Sequence, residues 1–322
     1  MSKLSYKQFL NSEELKEFRK ANDLHALWMF AVNWAVIAAC FVVFAAEVHW
    51  LFKLAALFVL GGRQLGLGIL MHECGHQGFF SKLWMNRFFG HWFAGMTMLV
   101  PLEFYRTYHL IHHSKTGTDD DPDVGNIKQY PVTGGSLRRK ILRDFTGFSG
   151  LKMLYGVLFY VMPNRAGNAV SLGVNQDSVQ KGDGVAVRNF RDAIVLHGLW
   201  IAVFTALGHP ALYLMWWVGY IFFYPFVIRV RQIAEHGAMP ALASDDVRDT
   251  TRTTIVSLWE RAFFAPNFVN FHCEHHFLPS VPSYNLPRLH HVLKERGFYQ
   301  DKPESCVDTG GYREILRIAS AA

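Results

Sequence analysis

The chain of 322 residues is 51% hydrophobic and 15% aromatic but only 18% charged, a balance that reads as a membrane protein with a sizeable water-facing part. Its net charge of +6 comes from scattered Lys and Arg residues without a zinc finger or an RNA-stacking strand, which argues against nucleic acid and leaves anionic lipid as the better partner. Cys40, Cys74, Cys273 and Cys306 lie far apart with no Cys-x-x-Cys pair, against a disulfide scaffold, a thiolate zinc site or a built-in iron–sulfur cluster.

Residues 1–24 are polar and of mixed charge, so no cleaved signal peptide is expected. Residues 26–46 are almost wholly apolar, broken by Asn33, and long enough as a helix to cross a hydrocarbon core. Residues 51–71 supply a second, less clean span carrying Lys53, Arg63 and Gln64. A charge at the depth of Arg63 is expensive and usually functional. A third span is expected at 193–207 and a fourth at 212–230, separated by Gly208-His209-Pro210. The fold class is therefore all-α integral membrane, with about four transmembrane helices in two hairpins. The connections 47–50 and 208–210 contain no Lys or Arg, whereas Arg138, Arg139, Lys140, Arg143, Arg229, Arg231 and the N-terminal tail flank the other ends. The positive-inside rule then puts both termini and both long polar regions in the cytoplasm. The stretches 84–102 and 145–162, interrupted by Arg87, His91 and Lys152, read as helices in or near the interface, with a transmembrane helix as the alternative for the first. Apolar segments and motifs occupy both halves, so one domain, 1–322, is expected, with a cytosolic tail at 1–25 and a C-terminal tail at 298–322.

Eight of the sixteen histidines fall in three groups: His72 and His76 in HECGH, His109, His112 and His113 in HLIHH, and His272, His275 and His276 in HCEHH. Positions i, i+3 and i+4 share one face of a helix, so each group projects its imidazoles toward a common point. A lone buried His is usually a hydrogen-bonded structural residue, and that reading suits His25, His49, His91, His197 and His209. It fails for the clusters, because so compact a repetition is far above what composition produces. The sidedness argued above lets all three groups converge in a cytosolic helical cap. Eight imidazoles exceed the four ligands of one tetrahedral zinc, so two metal ions are implied. Imidazole suits zinc, copper, iron and nickel alike and does not choose among them. Glu73 and Glu274, inside their boxes, and Asp123, in the acidic run 119–123, are candidates to orient the imidazoles by accepting their second N–H. The acidic run also reads as a solvated turn in which Pro122 stops a helix.

These boxes, in this order and beside two hairpins, resemble the membrane fatty acid desaturase and hydroxylase superfamily from about residue 26 to 297. HECGHQGFFS is similar to the first box of acyl-lipid desaturases, and NFHCEHHFLPSVPSYNLPRLH to their third box and its Leu-Pro tail. The resemblance implies a di-iron site (Fe2+/Fe3+), dioxygen as co-substrate, and a ninth ligand after the last span, matched here by His236 in RQIAEHG. Gln232, one turn earlier, matches a position where some relatives use a side chain that meets iron through water. The tail has Phe-Leu-Pro where Leu-Phe-Pro is common, and the first and third boxes match different branches, so the position of a new double bond is not readable. No His-Pro-Gly-Gly haem motif is present, which implies a separate electron donor, a ferredoxin or a cytochrome with its reductase. The expected setting is a bacterial inner membrane with a lipid or fatty acyl substrate. Hydroxylases and carotenoid ketolases share such boxes and stand as the alternative on the same scaffold. His72-Glu73-Cys74-Gly75-His76 also spells the His-Glu-x-x-His of zinc proteases, which leaves six clustered histidines unexplained. A transporter is disfavoured because its ionisable groups belong near mid-membrane rather than at span ends.

Overall fold

The computed structural model describes residues 4–165 and 184–321. The chain is largely helical. In order come α1 (Ser12–Phe18), α2 (Asp23–Ala45), α3 (Trp50–Gly75), α4 (Leu83–Trp92), α5 (Leu102–Lys115), α6 (Val124–Ile127), α7 (Gly134–Phe145) and α8 (Phe148–Gly156). After the second described stretch begins, α9 (Val185–Ala206), α10 (Leu212–Phe222), α11 (Tyr224–His236), α12 (Val247–Thr250), α13 (Leu258–Phe263), α14 (His272–Phe277), α15 (Leu286–Glu295) and α16 (Gly311–Ala319) follow. A two-residue parallel pairing of β1 (Thr253–Thr254) with β2 (Cys306–Val307) ties the C-terminal segment to the loop after α12.

Three helical stretches among the described residues are long and apolar enough to cross a membrane: Ser12–Ala45, Trp50–Gly75 and Leu212–His236. The first two contain the expected spans at 26–46 and 51–71. The segment expected at 193–207 forms the C-terminal part of α9, but Asn189, Arg191, Asp192 and His197 dilute its apolar character. Among the described residues, three helices thus have the length and composition of a span, and the fourth of the expected count is not among them. The expected helix at 212–230 runs on to His236 and is interrupted at Phe223, because Pro225 has no N–H to offer the preceding turn. The stretch 84–102 is also no single helix. It splits into α4, a 3-10 turn at Gly95–Met98 and the start of α5, with Leu99 in a left-handed conformation at the corner. The stretch 145–162 is α8 extended by a π-helical turn at Val157–Val161.

α3 is the central helix, packed against α2, α4, α5, α10 and α11. Gly62 and Gly66, four residues apart, let neighbours approach its backbone. A Cβ at Gly66 would stand 2.1 Å from Asn33 Oδ1, and one at Gly62 would stand 2.8 Å from the Phe263 carbonyl oxygen. Polar residues of the spans reach across helices through their amide nitrogens: Asn33 donates to the Arg63 carbonyl at 3.2 Å, and Gln64 to the Trp216 carbonyl at 2.8 Å. The Arg63 guanidinium donates to the Ala262 carbonyl, holding the 258–268 segment against α3. Outward-facing Leu24, Trp28, Val42, Ile194, Leu199 and Leu214 remain exposed, as expected of a lipid-facing belt.

The two polar ends are structured rather than loose. α1 opens on a capping box between Asn11 and Glu14, and Glu14 accepts two hydrogen bonds from Arg296 at 2.6 and 2.8 Å. α16 buries Tyr312, Ile315 and Ala319 in the main core. The N-terminal end thereby packs onto the part of the molecule that carries the third histidine box, and α16 onto α11, which ends in His236.

Candidate metal centre

Four helices bring nine imidazoles together. His72 lies in the last turn of α3 and His76 caps it; α5 carries His109, His112 and His113; His236 ends α11; and α14 is a six-residue helix holding His272, His275 and His276. The i, i+3, i+4 spacing aligns the imidazoles of α5 and α14, but the boxes on these two helices are each divided between two clusters, while His72 and His76 stay together. His72, His76, His109, His113 and His275 form one group, and His112, His236, His272 and His276 form the other, the ligand atoms within each lying within 4.8 Å of one another.

The nitrogens meet lone pair to lone pair. His109 Nε2 is 3.0 Å from His76 Nε2 and 2.8 Å from His113 Nε2, His275 Nε2 is 3.0 Å from His113 Nε2, and His272 Nε2 is 2.8 Å from His236 Nε2. Two neutral acceptors repel at that range unless a cation lies between them. Nitrogens about 2.1 Å from one metal ion at right angles would be about 3 Å apart, which matches these separations. His72 Nε2 and His276 Nε2 are buried with no hydrogen-bond partner, so metal would satisfy atoms that nothing else does. The donor set of neutral imidazoles fits divalent zinc, iron, copper or nickel. Burial pulls the pKa of His76, His109, His113, His272, His275 and His276 down, which keeps their lone pairs available. His112 goes the other way: burial lowers it, but the hydrogen bond to Asp121 and the charges of Asp123 and Asp121 outweigh this and raise it.

The partners that orient the imidazoles are only partly those expected. Glu73 accepts from His72 Nδ1 at 2.9 Å, while its other oxygen accepts from the Ser283 amide at 2.7 Å. So pinned, Glu73 is not free to activate water as a zinc-protease glutamate does. In the acidic run the residue that meets a ligand is Asp121, buried and accepting from His112 Nδ1 at 2.8 Å; Asp123 lies 3.8 Å from that nitrogen and accepts instead from the Tyr108 hydroxyl. Asp121 is fixed by the amides of Gly117 and Asp123 at 2.7 and 2.8 Å. Burial works against its ionisation, and the hydrogen bonds outweigh burial and lower its pKa. Gly117 is required there: its φ is +77°, and a Cβ would lie 1.3 Å from the Leu242 carbonyl oxygen.

Glu274, expected to orient a ligand, turns away from both clusters. Two residues from His272 and His276 on one helix, it points to the opposite side, where it accepts from His290 Nδ1, the Tyr299 hydroxyl and the Thr253 hydroxyl. Gln232 lines a separate polar cavity with Tyr108 and Asp123. Two partners had escaped notice. Glu235 lies 3.4 Å from His272 Nδ1 and is held by Arg231 at 2.5 Å, and the Thr250 carbonyl accepts from His236 Nδ1 at 2.9 Å. The i, i+4 pairing of Arg231 with Glu235 was visible in RQIAEHG; a backbone carbonyl from another segment leaves no sequence signal. An Asp121→Asn variant is expected to bind metal about 10–100-fold more weakly, read by metal retention against a chelator, because the amide no longer favours the His112 tautomer that presents Nε2 inward.

The family described as fatty acid desaturase matches residues 48–305. Dihydrorhizobitoxine desaturase of Bradyrhizobium elkanii is 25% identical over 297 residues, covering 89% of this chain and 80% of that protein. The sn-1 oleoyl-lipid 12-desaturase of Synechocystis sp. is 25% identical over 240 residues, 71% of this chain and 65% of its own length. The sn-1 acyl-lipid omega-3 desaturase (ferredoxin) of Nostoc sp. is 29% identical over 149 residues, 46% of this chain and 40% of its own. This chain thus spans less than two thirds of the latter two relatives. With the match extending over most of its length and enclosing all nine clustered histidines, the chain belongs to the fatty acid desaturase family and is an oxidoreductase.

Proposed function

We propose that the nine imidazoles hold two iron ions and that the protein uses dioxygen and electrons from a separate donor to introduce a double bond into a lipid acyl chain. The observation that carries this reading is the partition of the ligand nitrogens into adjacent sets of five and four, too many for one ion and disposed for two. When bound, an iron pair supplies the activation of dioxygen needed to take hydrogen from an unactivated methylene. The chain's own part is positional. Glu73, Asp121 and the Thr250 carbonyl hold three imidazoles in fixed tautomers, Glu235 lies 3.4 Å from a fourth, His272, and the buried surroundings of His72, His109, His112, His272 and His275 exclude water. The names of the lipid-acting relatives support an acyl substrate, and the ferredoxin in one name supports that donor. We further place the metal centre and both termini on the cytoplasmic side of a bacterial inner membrane, from the distribution of Lys and Arg, and treat residues 1–322 as one domain.

The test is expression in a bacterial host with iron and a ferredoxin system, followed by lipid mass spectrometry and metal analysis of the purified chain. Acyl species lacking two hydrogens, with about two irons per chain, are expected. Species that gain oxygen would move the assignment to a hydroxylase or ketolase, and a single zinc per chain would overturn it.

A further inference from the structure

Next to the histidine site, and unused by it, lies a cavity of about 560 Å3 between α5, the loop that follows it, α7, α8 and α11. Its charges are one-sided. Lys140, Arg143, Lys152 and Arg229 line it, with Asp123 the one carboxylate among its described lining residues. Asp123 is engaged by the Tyr108 hydroxyl. Arg229 is neutralised by buried Asp144 at 2.5 and 2.8 Å, and Lys140 is steered by Gln129 Oε1 at 2.5 Å. Arg143 and Lys152, both exposed, have no acidic partner among the described residues. Burial first, and then the charges of Arg229 and Arg143, hold the Lys140 pKa below its usual value.

The surroundings say where this charge sits. Leu142 on α7 and Phe148, Leu151 and Tyr155 on α8 are each more than half exposed. Exposed apolar side chains interleaved with cations are the pattern of helices lying in a membrane interface. A concave cluster of Lys and Arg at that level fits the phosphate of an anionic lipid. A soluble acidic protein would instead need a broad, accessible face of about 800 Å2. The cavity also adjoins the metal centre, because Asp123, in its wall, stands 3.8 Å from His112 Nδ1.

Resting on the desaturase reading, we propose that this cavity seats the phosphate of an anionic phospholipid, whose acyl chain is the substrate. Arg143 and Lys152 supply the uncompensated charge, and the paired Lys140 and Arg229 form the wall behind them.

The test measures binding of dihexanoyl phosphatidylglycerol and dihexanoyl phosphatidylcholine to the purified full chain in neutral detergent, for wild type and for the double variant Arg143→Glu, Lys152→Glu. Wild type is expected to prefer the anionic lipid about tenfold, and the double variant to lose that preference at an unchanged melting temperature. Equal affinity for the two lipids in wild type, or a preference that survives charge reversal, overturns the proposal. Inorganic phosphate that competes at the concentration at which the lipid binds also overturns it, assigning the cavity to free phosphate. These measurements need neither iron nor turnover, so a failure of the desaturase reading would show separately, as absent product with lipid binding intact.

Discussion

A His112→Ala variant is expected to lose turnover by about a thousandfold or more and to retain about one metal ion per chain instead of two. His112 is the one member of the second cluster supplied by the first half of the chain, and it is the member locked by a carboxylate through Asp121. Its removal leaves His236, His272 and His276, one imidazole fewer in the smaller of the two sets, so the ion there would be held less tightly. The loss should exceed the roughly 10–100-fold that follows from disturbing a ligand's hydrogen-bond partner, so His112→Ala should be more severe than Asp121→Asn. His291→Ala is the control, since His291 is exposed and belongs to neither cluster. Metal analysis and product formation on the same preparations decide the matter: full activity with both metals in His112→Ala would show that the second cluster is not a ligand set.

The largest stability effect is expected from Glu274→Ala. The Glu274 carboxylate is fully buried and takes hydrogen bonds from three separate segments: Thr253 after α12, His290 on α15 and Tyr299 beyond it. Truncation leaves three buried donors without an acceptor, at a cost of about 3–5 kcal/mol. A fall of the thermal midpoint in detergent on the order of 10 °C is the expected reading. Because α14 carries three of the nine imidazoles, metal should be released in the same transition. Glu274→Gln keeps the shape and one acceptor and should lie between the two. A midpoint within about 2 °C of wild type would mean that the carboxylate does not brace the helix.

The histidines were legible because the helical repeat is enough to align i, i+3 and i+4. The division of the second and third boxes between two clusters was not, since it depends on how α5 and α14 face each other across α3 and α11. The orienting partners divide along the same line. Glu73 was legible from its place beside His72. Within the acidic run, only the turn at Gly117, with its left-handed backbone, determines that Asp121 rather than Asp123 turns inward. Glu274 misled because adjacency in a short helix was taken for direction, whereas two positions along a helix reverse the side chain. The spans show the complementary limit. Apolar length located α2 and α3, but the break at Phe223 comes from Pro225, and the dilution of α9 comes largely from Asn189, Arg191 and Asp192, which an apolar average over 193–207 leaves out.

The uneven ancestry of the two clusters has a consequence for biosynthesis. Four of the five imidazoles in the first cluster precede Ser114, whereas three of the four in the second come from His236 onward. A ribosome delivers the chain from its N-terminus, and elements that fold early do so before the rest exists. The first cluster can therefore gather four nitrogens while the second still consists of His112 alone, and it is completed only when His275 emerges on the helix that also finishes its neighbour. On the two-ion reading, loading would then be ordered in time: an ion captured at the first position would serve as the template on which α14 docks.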